Sequence, residues 1–395
     1  MANPIYQALP TTIFTVMSTL AQELGAINLG QGFPDESGPE AIRRRAAEEI
    51  VDGDNQYPPM PGVPALREAV AAHYARHQGL DFDWKTEITV TSGATEALAD
   101  CFLSLISPGD EVVVFQPFYD SYLPMIRRAG GIPRLARLTP PRFGLTREML
   151  EAVFTPRTRL VVLNNPLNPS ATVFTDEDLA LLAAFCVRHD AVAICDEVWE
   201  HVIFDGRVHR PLIAFPGMRE RCVKIGSAGK MFALTGWKVG FICAAPALTQ
   251  VIAKGHQFNT FTTAPGLQRA VAWGLENSEA WFAAMPGELQ ASRDRLTLAL
   301  QREGFAVLPS EGTYFLNVDL AASGIDEGDM DFALRAVKEA GVAAIPISAF
   351  YEDDPVTHLI RLCFPKRDAT LDEGAKRLAK TRELSRAAVS RAVGA

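Results

Sequence analysis

Three charged residues stand in apolar or tightly packed surroundings: Lys230 in IGSAGKMFALTGWKVG (225–240), Asp196 closing AVAICD, and Arg361 inside LIRLCF. A lysine amine is a poor nucleophile while protonated. It becomes useful when an apolar site or nearby cations lower its pKa, so that it condenses with a carbonyl. Lys230 has that setting. Ser227, Ala228 and Gly229 let backbone approach a bulky ligand, while Ser227 and Lys238 offer a hydroxyl and a point charge of the kind that binds phosphate. A lone arginine in an apolar strand needs an anionic partner. That partner is either a structural carboxylate or a ligand.

Other segments add pieces. ITVTSGATEALADCFLSLI (88–106) reads as strand, glycine turn and helix, and a helix start with small residues exposes N–H groups and a positive dipole end to an anion. Gly93, Ala94 and Thr95 are the candidate cradle. DEVVVFQPFYDSY is an apolar strand ending in aromatics, where Tyr119 either caps the core or stacks on a planar ligand. LGQGFPD has Gly30 and Gly32 but no third glycine, so it fails as a dinucleotide fingerprint. His73 and His77 stand one helical turn apart; without a carboxylate or further histidine nearby in sequence, no metal site is expected.

The elements that must position these residues alternate between apolar strands and helices from Glu87 to Ala245, a pattern that agrees with an α/β domain. Before it, IFTVMSTLAQELG has Ile13, Val16, Met17 and Leu20 at the spacing of a core-facing helix. Beyond LQASRDRLTLALQREG the chain changes character. EGTYFLNVDL, a helix over 329–341, VAAIPISAF, LIRLCF and a charged final helix read as a smaller α+β unit. The expected division is an arm and part of the small domain over 1–45, a large domain over 46–285 and a small domain over 286–395.

SAGK followed by TGWKVG, taken with LGQGFPD, the Asn168 loop and LIRLCFPK, resembles the active-site sequence of the fold-type-I pyridoxal-phosphate aminotransferases of classes I and II. Within them it is most similar to the methionine and kynurenine/glutamine aminotransferase branch, and the likeness runs from Leu29 to Lys366. The resemblance implies a mainly parallel seven-stranded large-domain sheet with helices on both faces, plus the smaller domain. It implies pyridoxal 5′-phosphate as cofactor, amino acid and 2-oxo acid as substrates, and a homodimer with shared active sites.

Roles follow by resemblance. Lys230 anchors the cofactor and moves the proton, Asp196 faces the pyridine nitrogen, Asn168 bonds the ring oxygen and borders substrate, and Tyr119 stacks on the ring. Gly93, Ala94, Thr95, Ser227 and Lys238 hold the phosphate, with Tyr57 reaching across from the partner. Arg361 takes the α-carboxylate near the backbone of Gly32, and Phe14 and Phe261 border the side chain. Two positions depart from the family. Trp199 stands where a tyrosine bonds the ring oxygen, and Ala171 replaces the glycine of the usual N-P-T-G turn.

A formal net charge of -9 without a basic run argues against nucleic acid or anionic membrane as partner. Six scattered cysteines without C-x-x-C spacing fit buried thiols, and no leader or membrane span is evident, so a cytoplasmic enzyme is expected. No second arginine is evident to pair an acidic side chain, which points to methionine, aromatic amino acids, glutamine or kynurenine. Two alternatives remain at this stage. One is β-elimination from cysteine conjugates in the same site, and the other is a non-catalytic cofactor-binding regulator.

Overall fold

Runs of Val, Ile and Leu that are apolar on both faces make the strands of the central sheet. The computed structural model describes residues 2–393. After a short β1 (Ile27–Asn28) come β2 (Ile88–Thr91), β3 (Glu111–Gln116), β4 (Ile132–Arg137), β5 (Thr158–Asn164), β6 (Val192–Asp196), β7 (Cys222–Ser227) and β8 (Gly240–Ala244). These last seven form one sheet in the order β2-β8-β7-β6-β5-β3-β4, in which only β8 runs antiparallel to its neighbours. Every residue of β6, β7 and β8 is buried.

Successive side chains of a strand point to opposite faces, and here each face has its own core. Val161, Leu163, Ala193 and Cys195 join one apolar cluster, while Leu160, Val162, Ile194 and Ile225 join another. Strands covered on both sides in this way have their free functional edge at the carboxyl ends, where parallel α/β sheets place their ligands.

The rest of the chain builds a second sheet. β9 (Ala306–Val307), β10 (Phe315–Asp319), β12 (Ile345–Pro346) and β13 (Leu359–Cys363) pair antiparallel in the order β12-β13-β10-β9, and β11 (Val342–Ala343) pairs parallel with β1. A third apolar cluster, including Phe315, Leu316, Leu296, Leu300 and Leu371, joins this sheet to the helices Glu279–Arg302 and Asp368–Val393.

The helix expected over 329–341 is regular only over Asp329–Arg335. It continues as a π turn over Ala336–Ala340 and stops at Gly341, whose φ is 75°. The helix Ile13–Glu23 buries Met17 and Ala21, leaving Ile13, Val16 and Leu20 half-buried. It is a flank of the core, and its Phe14 meets Phe350 edge-on at 5.6 Å.

Candidate functional site

A cavity of about 520 Å³ opens at the carboxyl ends of β5, β6 and β7, and thirteen of the fifteen sequence candidates line it. Lys230 follows β7 in the short helix Ala228–Met231. Its backbone is held from both sides: Tyr314 donates its hydroxyl hydrogen to the Lys230 carbonyl at 3.1 Å, and the Trp281 indole donates to the Met231 carbonyl at 2.8 Å. The ammonium lies 4.6 Å from the Trp199 ring centroid and 3.4 Å from the Gly32 carbonyl. Burial lowers the Lys230 pKa to about 8, with Arg361 and Lys238 pushing the same way against the pull of Asp196.

Asp196 ends β6, directly beside β7. One carboxylate oxygen, Oδ2, accepts the Tyr122 hydroxyl at 2.6 Å, while Oδ1 is buried with no hydrogen-bond partner among the described residues. Burial raises the Asp196 pKa, opposed by Tyr122 and Lys230. An orphaned carboxylate oxygen facing a cavity is suited to a cationic N–H. Asn164, at the end of β5 and in register with Asp196, donates to the Asp196 carbonyl at 2.8 Å and accepts the Asn168 N–H at 2.8 Å. Sequence reasoning missed Tyr122 and Asn164, although each sits three or four residues from a residue it had singled out.

At the far end, Gly93 begins the helix Ala94–Leu105 with φ 80°. A Cβ there would lie 3.2 Å from Lys238 Nζ, and a Cβ on Gly240 would lie 2.7 Å from the Gly93 carbonyl carbon. Two glycines thus keep open a recess formed by Gly93, Ala94 and Thr95, with Ser227 and Lys238 on its other side. A tetrahedral dianion matches such a helix start.

Arg361, in β13, is fully buried. It donates to Asn168 Oδ1 at 2.7 Å and to the Gly30 carbonyl at 2.9 Å, and its Nε has no partner. The Phe14, Phe315 and Phe350 rings surround the guanidinium at 5.2, 3.8 and 5.2 Å. Among the described residues no carboxylate reaches it within salt-bridge distance, so the structural ion pair left open by the sequence does not form. Burial drags its pKa down to about 9, with Cys363 and then Asp120 pulling the other way.

Two candidates lie elsewhere. Tyr57 is 84% exposed and meets Phe261 edge-on at 5.6 Å, outside the cavity of their own chain. The fold also brings a further residue to His73 and His77. A third histidine, His201, brings its Nε2 to 2.8 Å from His73 Nε2, and burial drives His73 to about 2 and His201 to about 4.

A family model described as "Aminotransferase class I and II" matches residues 25–378. The methionine aminotransferase of Escherichia coli (strain K12) is 46% identical over 372 residues, covering 94% of this chain and 96% of its own. The kynurenine–oxoglutarate transaminase 1 of Homo sapiens is 35% identical over 395 residues, covering 91% and 93%. The solved N-succinyldiaminopimelate aminotransferase from Mycobacterium tuberculosis superposes with a TM-score of 0.93 at 44% identity, covering 96% of this chain and 100% of that one.

Proposed function

The chain belongs to the aminotransferase class I and II family and is a pyridoxal 5′-phosphate-dependent transaminase, and from this premise we propose that it transfers the α-amino group of a neutral, sulfur-containing or aromatic amino acid to a 2-oxo acid. The observation that carries the assignment of roles is Arg361. It is a buried guanidinium with two fixed hydrogen bonds, no carboxylate partner among the described residues and a cavity shared with Lys230.

The residues fit the cofactor at three points. Asp196 Oδ1 is the free acceptor for a pyridine N–H, Asn168 Nδ2 is the donor for the ring oxygen, and the Gly93 recess with Ser227 and Lys238 receives the phosphate. Once bound, the cofactor supplies a carbonyl for the amino group and a ring that accepts the electron pair left when the α proton departs.

The chain's own groups do the rest. Arg361 holds the substrate carboxylate by a two-pronged contact, which fixes where the α carbon sits. Lys230, lowered to about 8, has an appreciable free-base fraction near neutrality and can take the α proton and return it. Asp196 would supply the negative charge that holds the pyridine N–H, with Tyr122 fixing its carboxylate and Asn164 its backbone carbonyl. The Phe14, Phe315 and Phe350 rings keep water from the guanidinium and strengthen its grip on an anion.

Substrate choice rests on the lining. Its cations are Lys230, Lys238 and Arg361, all three assigned, and its acids are Asp120 and Asp196. Among the described residues no further cation lines the cavity to receive a side-chain carboxylate, while Phe14, Phe33, Tyr119 and Trp199 offer apolar surface. The names of relatives, methionine aminotransferase and kynurenine–oxoglutarate transaminase, support the same class.

The reading extends to a homodimer in the cytoplasm. Exposed Tyr57, Phe258 and Phe261 support a partner covering that edge, and six buried, unbridged cysteines support a reducing compartment. Among the described residues no helix is long and apolar enough to cross a membrane. The proposed boundaries near 45 and 285 are supported by the pairing of β1 with β11, although the helix Glu279–Arg302 runs through the second.

The test is an absorbance spectrum of purified protein before and after methionine, repeated with Lys230→Ala. A visible band that converts in wild type and not in the variant supports the reading. A band indifferent to methionine, aromatic amino acids and glutamine overturns the substrate class.

A further inference from the structure

His256 lies outside the cavity, in the helix Pro246–Asn259, yet it is tied to the recess at Gly93. Its Nδ1 faces two carboxylates, Glu96 Oε1 at 2.7 Å and Asp100 Oδ2 at 3.2 Å, and its Nε2 faces the Met60 carbonyl at 3.2 Å. Both ring nitrogens therefore meet acceptors. Only the doubly protonated imidazolium has an N–H for each.

Glu96 is the third residue of the helix Ala94–Leu105, and its other oxygen accepts the backbone N–H of Ser92. A full negative charge thus stands within one turn of the helix start at Gly93. Alone it would repel a phosphate dianion at that start and cancel the attraction of the helix dipole. The imidazolium at 2.7 Å is the charge that offsets it.

We propose that His256 is a positioning residue for the cofactor: its buried positive charge neutralises Glu96 and so makes the start of the helix Ala94–Leu105 able to hold the phosphate. The inference rests on the reading that Gly93, Ala94 and Thr95 receive that group. The same residue also sets geometry. Met60 belongs to the loop that carries Tyr57, and beyond the helix of His256, Thr263 Oγ1 meets Ser92 Oγ at 2.7 Å. Asn259 donates to Asp100 Oδ1 at 3.0 Å, and Thr260 bonds the Glu96 side chain. Glu96 and Asp100 are thus the charged groups that face the ring, with the Met60 carbonyl, Asn259 and Thr260 completing its surroundings. Burial works against the imidazolium, the two carboxylates outweigh it, and its pKa rises to about 9.

The experiment compares binding of pyridoxal 5′-phosphate with that of pyridoxal, which lacks the phosphate, in wild type, His256→Gln and the double variant Glu96→Gln/His256→Gln. In His256→Gln the preference for the phosphorylated form should fall roughly ten- to hundredfold, and the double variant should regain most of it. If His256→Gln does not fold, wild type carries the test, its preference falling as pH rises through about 9 while the double variant stays flat. An unchanged preference, or an equal loss for both ligands without recovery in the double variant, overturns the proposal. Wild type without any phosphate preference overturns the assignment of the Gly93 recess and this proposal with it.

Discussion

The side-chain carbonyl of Asn168 accepts a hydrogen bond from Arg361 at 2.7 Å, and this contact fixes what each residue can do next. With Oδ1 engaged, Asn168 presents its NH₂ to the cavity. With the other arm of the fork on the Gly30 carbonyl at 2.9 Å, the guanidinium plane is set before any ligand arrives. Preorganisation of this kind removes an ordering cost from binding.

Arg361→Lys keeps the charge and loses the fork, because an ammonium cannot span Asn168, Gly30 and a carboxylate together. We expect kcat/KM for the amino donor to fall by about a hundredfold, near 3 kcal/mol, mostly through KM. The absorbance of bound cofactor should be unaltered. Steady-state kinetics with spectra on the same samples decide it, and a KM within twofold of wild type would refute the carboxylate role.

Trp199 presents its ring face to the Lys230 ammonium at 4.6 Å. An indole face stabilises a cation by about 0.5–1 kcal/mol, and a phenol at this position would add a hydroxyl donor toward the ring oxygen, favouring the deprotonated state. Trp199→Tyr should therefore lower the pH midpoint of the visible absorbance change by roughly half a unit or more. Coincident titration curves for the two proteins would sink the idea.

Asp120 lines the cavity near Arg361, with its carboxyl raised by burial. A side-chain carboxylate entering there would meet a like charge in a partly desolvated site. Asp120→Asn should raise the glutamate-to-methionine ratio of kcat/KM by about tenfold, chiefly by improving glutamate. Competition between the two donors for one limiting oxo acid reads the ratio directly.

Lys230, Asp196 and Arg361 could be singled out in the sequence because each is a charge set against an apolar strand or a run of small residues, and the strand and helix alternation agreed with the fold that the family resemblance implied. Tyr122 and Asn164 were not. Their roles depend on the β5–β6 register that puts Asn164 opposite Asp196, and on the turn after β3 that swings Tyr122 under the same carboxylate. Nothing local records either. The same holds for His201, which lies 128 positions from the histidine it touches. At Trp199 the residue type signalled a lost hydroxyl, whereas the contact with Lys230 through the ring face needed coordinates.

Ala171, read from sequence as a lost glycine, keeps the glycine's conformation with φ 64°. Its N–H bonds the Leu167 carbonyl at 2.8 Å, its own carbonyl accepts from Glu311 at 2.9 Å, and Asn317 clamps the carbonyls of Pro169 and Ser170. These contacts hold a left-handed alanine that costs about 1–2 kcal/mol. Ala171→Gly relieves it and loses about 0.5–1 kcal/mol to unfolded-state entropy. The melting temperature of the variant should match or slightly exceed that of wild type; a clear drop would mean that the alanine methyl packs more favourably than its backbone strains.

Lys224 is fully buried against Glu197 and Glu200, 2.6 Å from the latter, with His209 3.0 Å from Glu197 and Tyr74 2.9 Å from Glu200. Burial pushes the Glu197 carboxyl up; Lys224 and His209 outweigh it and hold it at about 2. Its folded pKa thus lies below the ordinary carboxylate value, so its contribution to stability is present above that value and lost as pH falls through about 2. Lys224→Met removes the cation and strands two buried carboxylates, a loss of about 3–5 kcal/mol at neutral pH. In the variant those carboxyls shift upward and take up protons on folding, so acid relieves it. The gap in melting temperature between wild type and variant should therefore narrow as pH drops from roughly 7.5 to 5. A gap constant over that range would assign the loss to packing and leave the charges without a part in it.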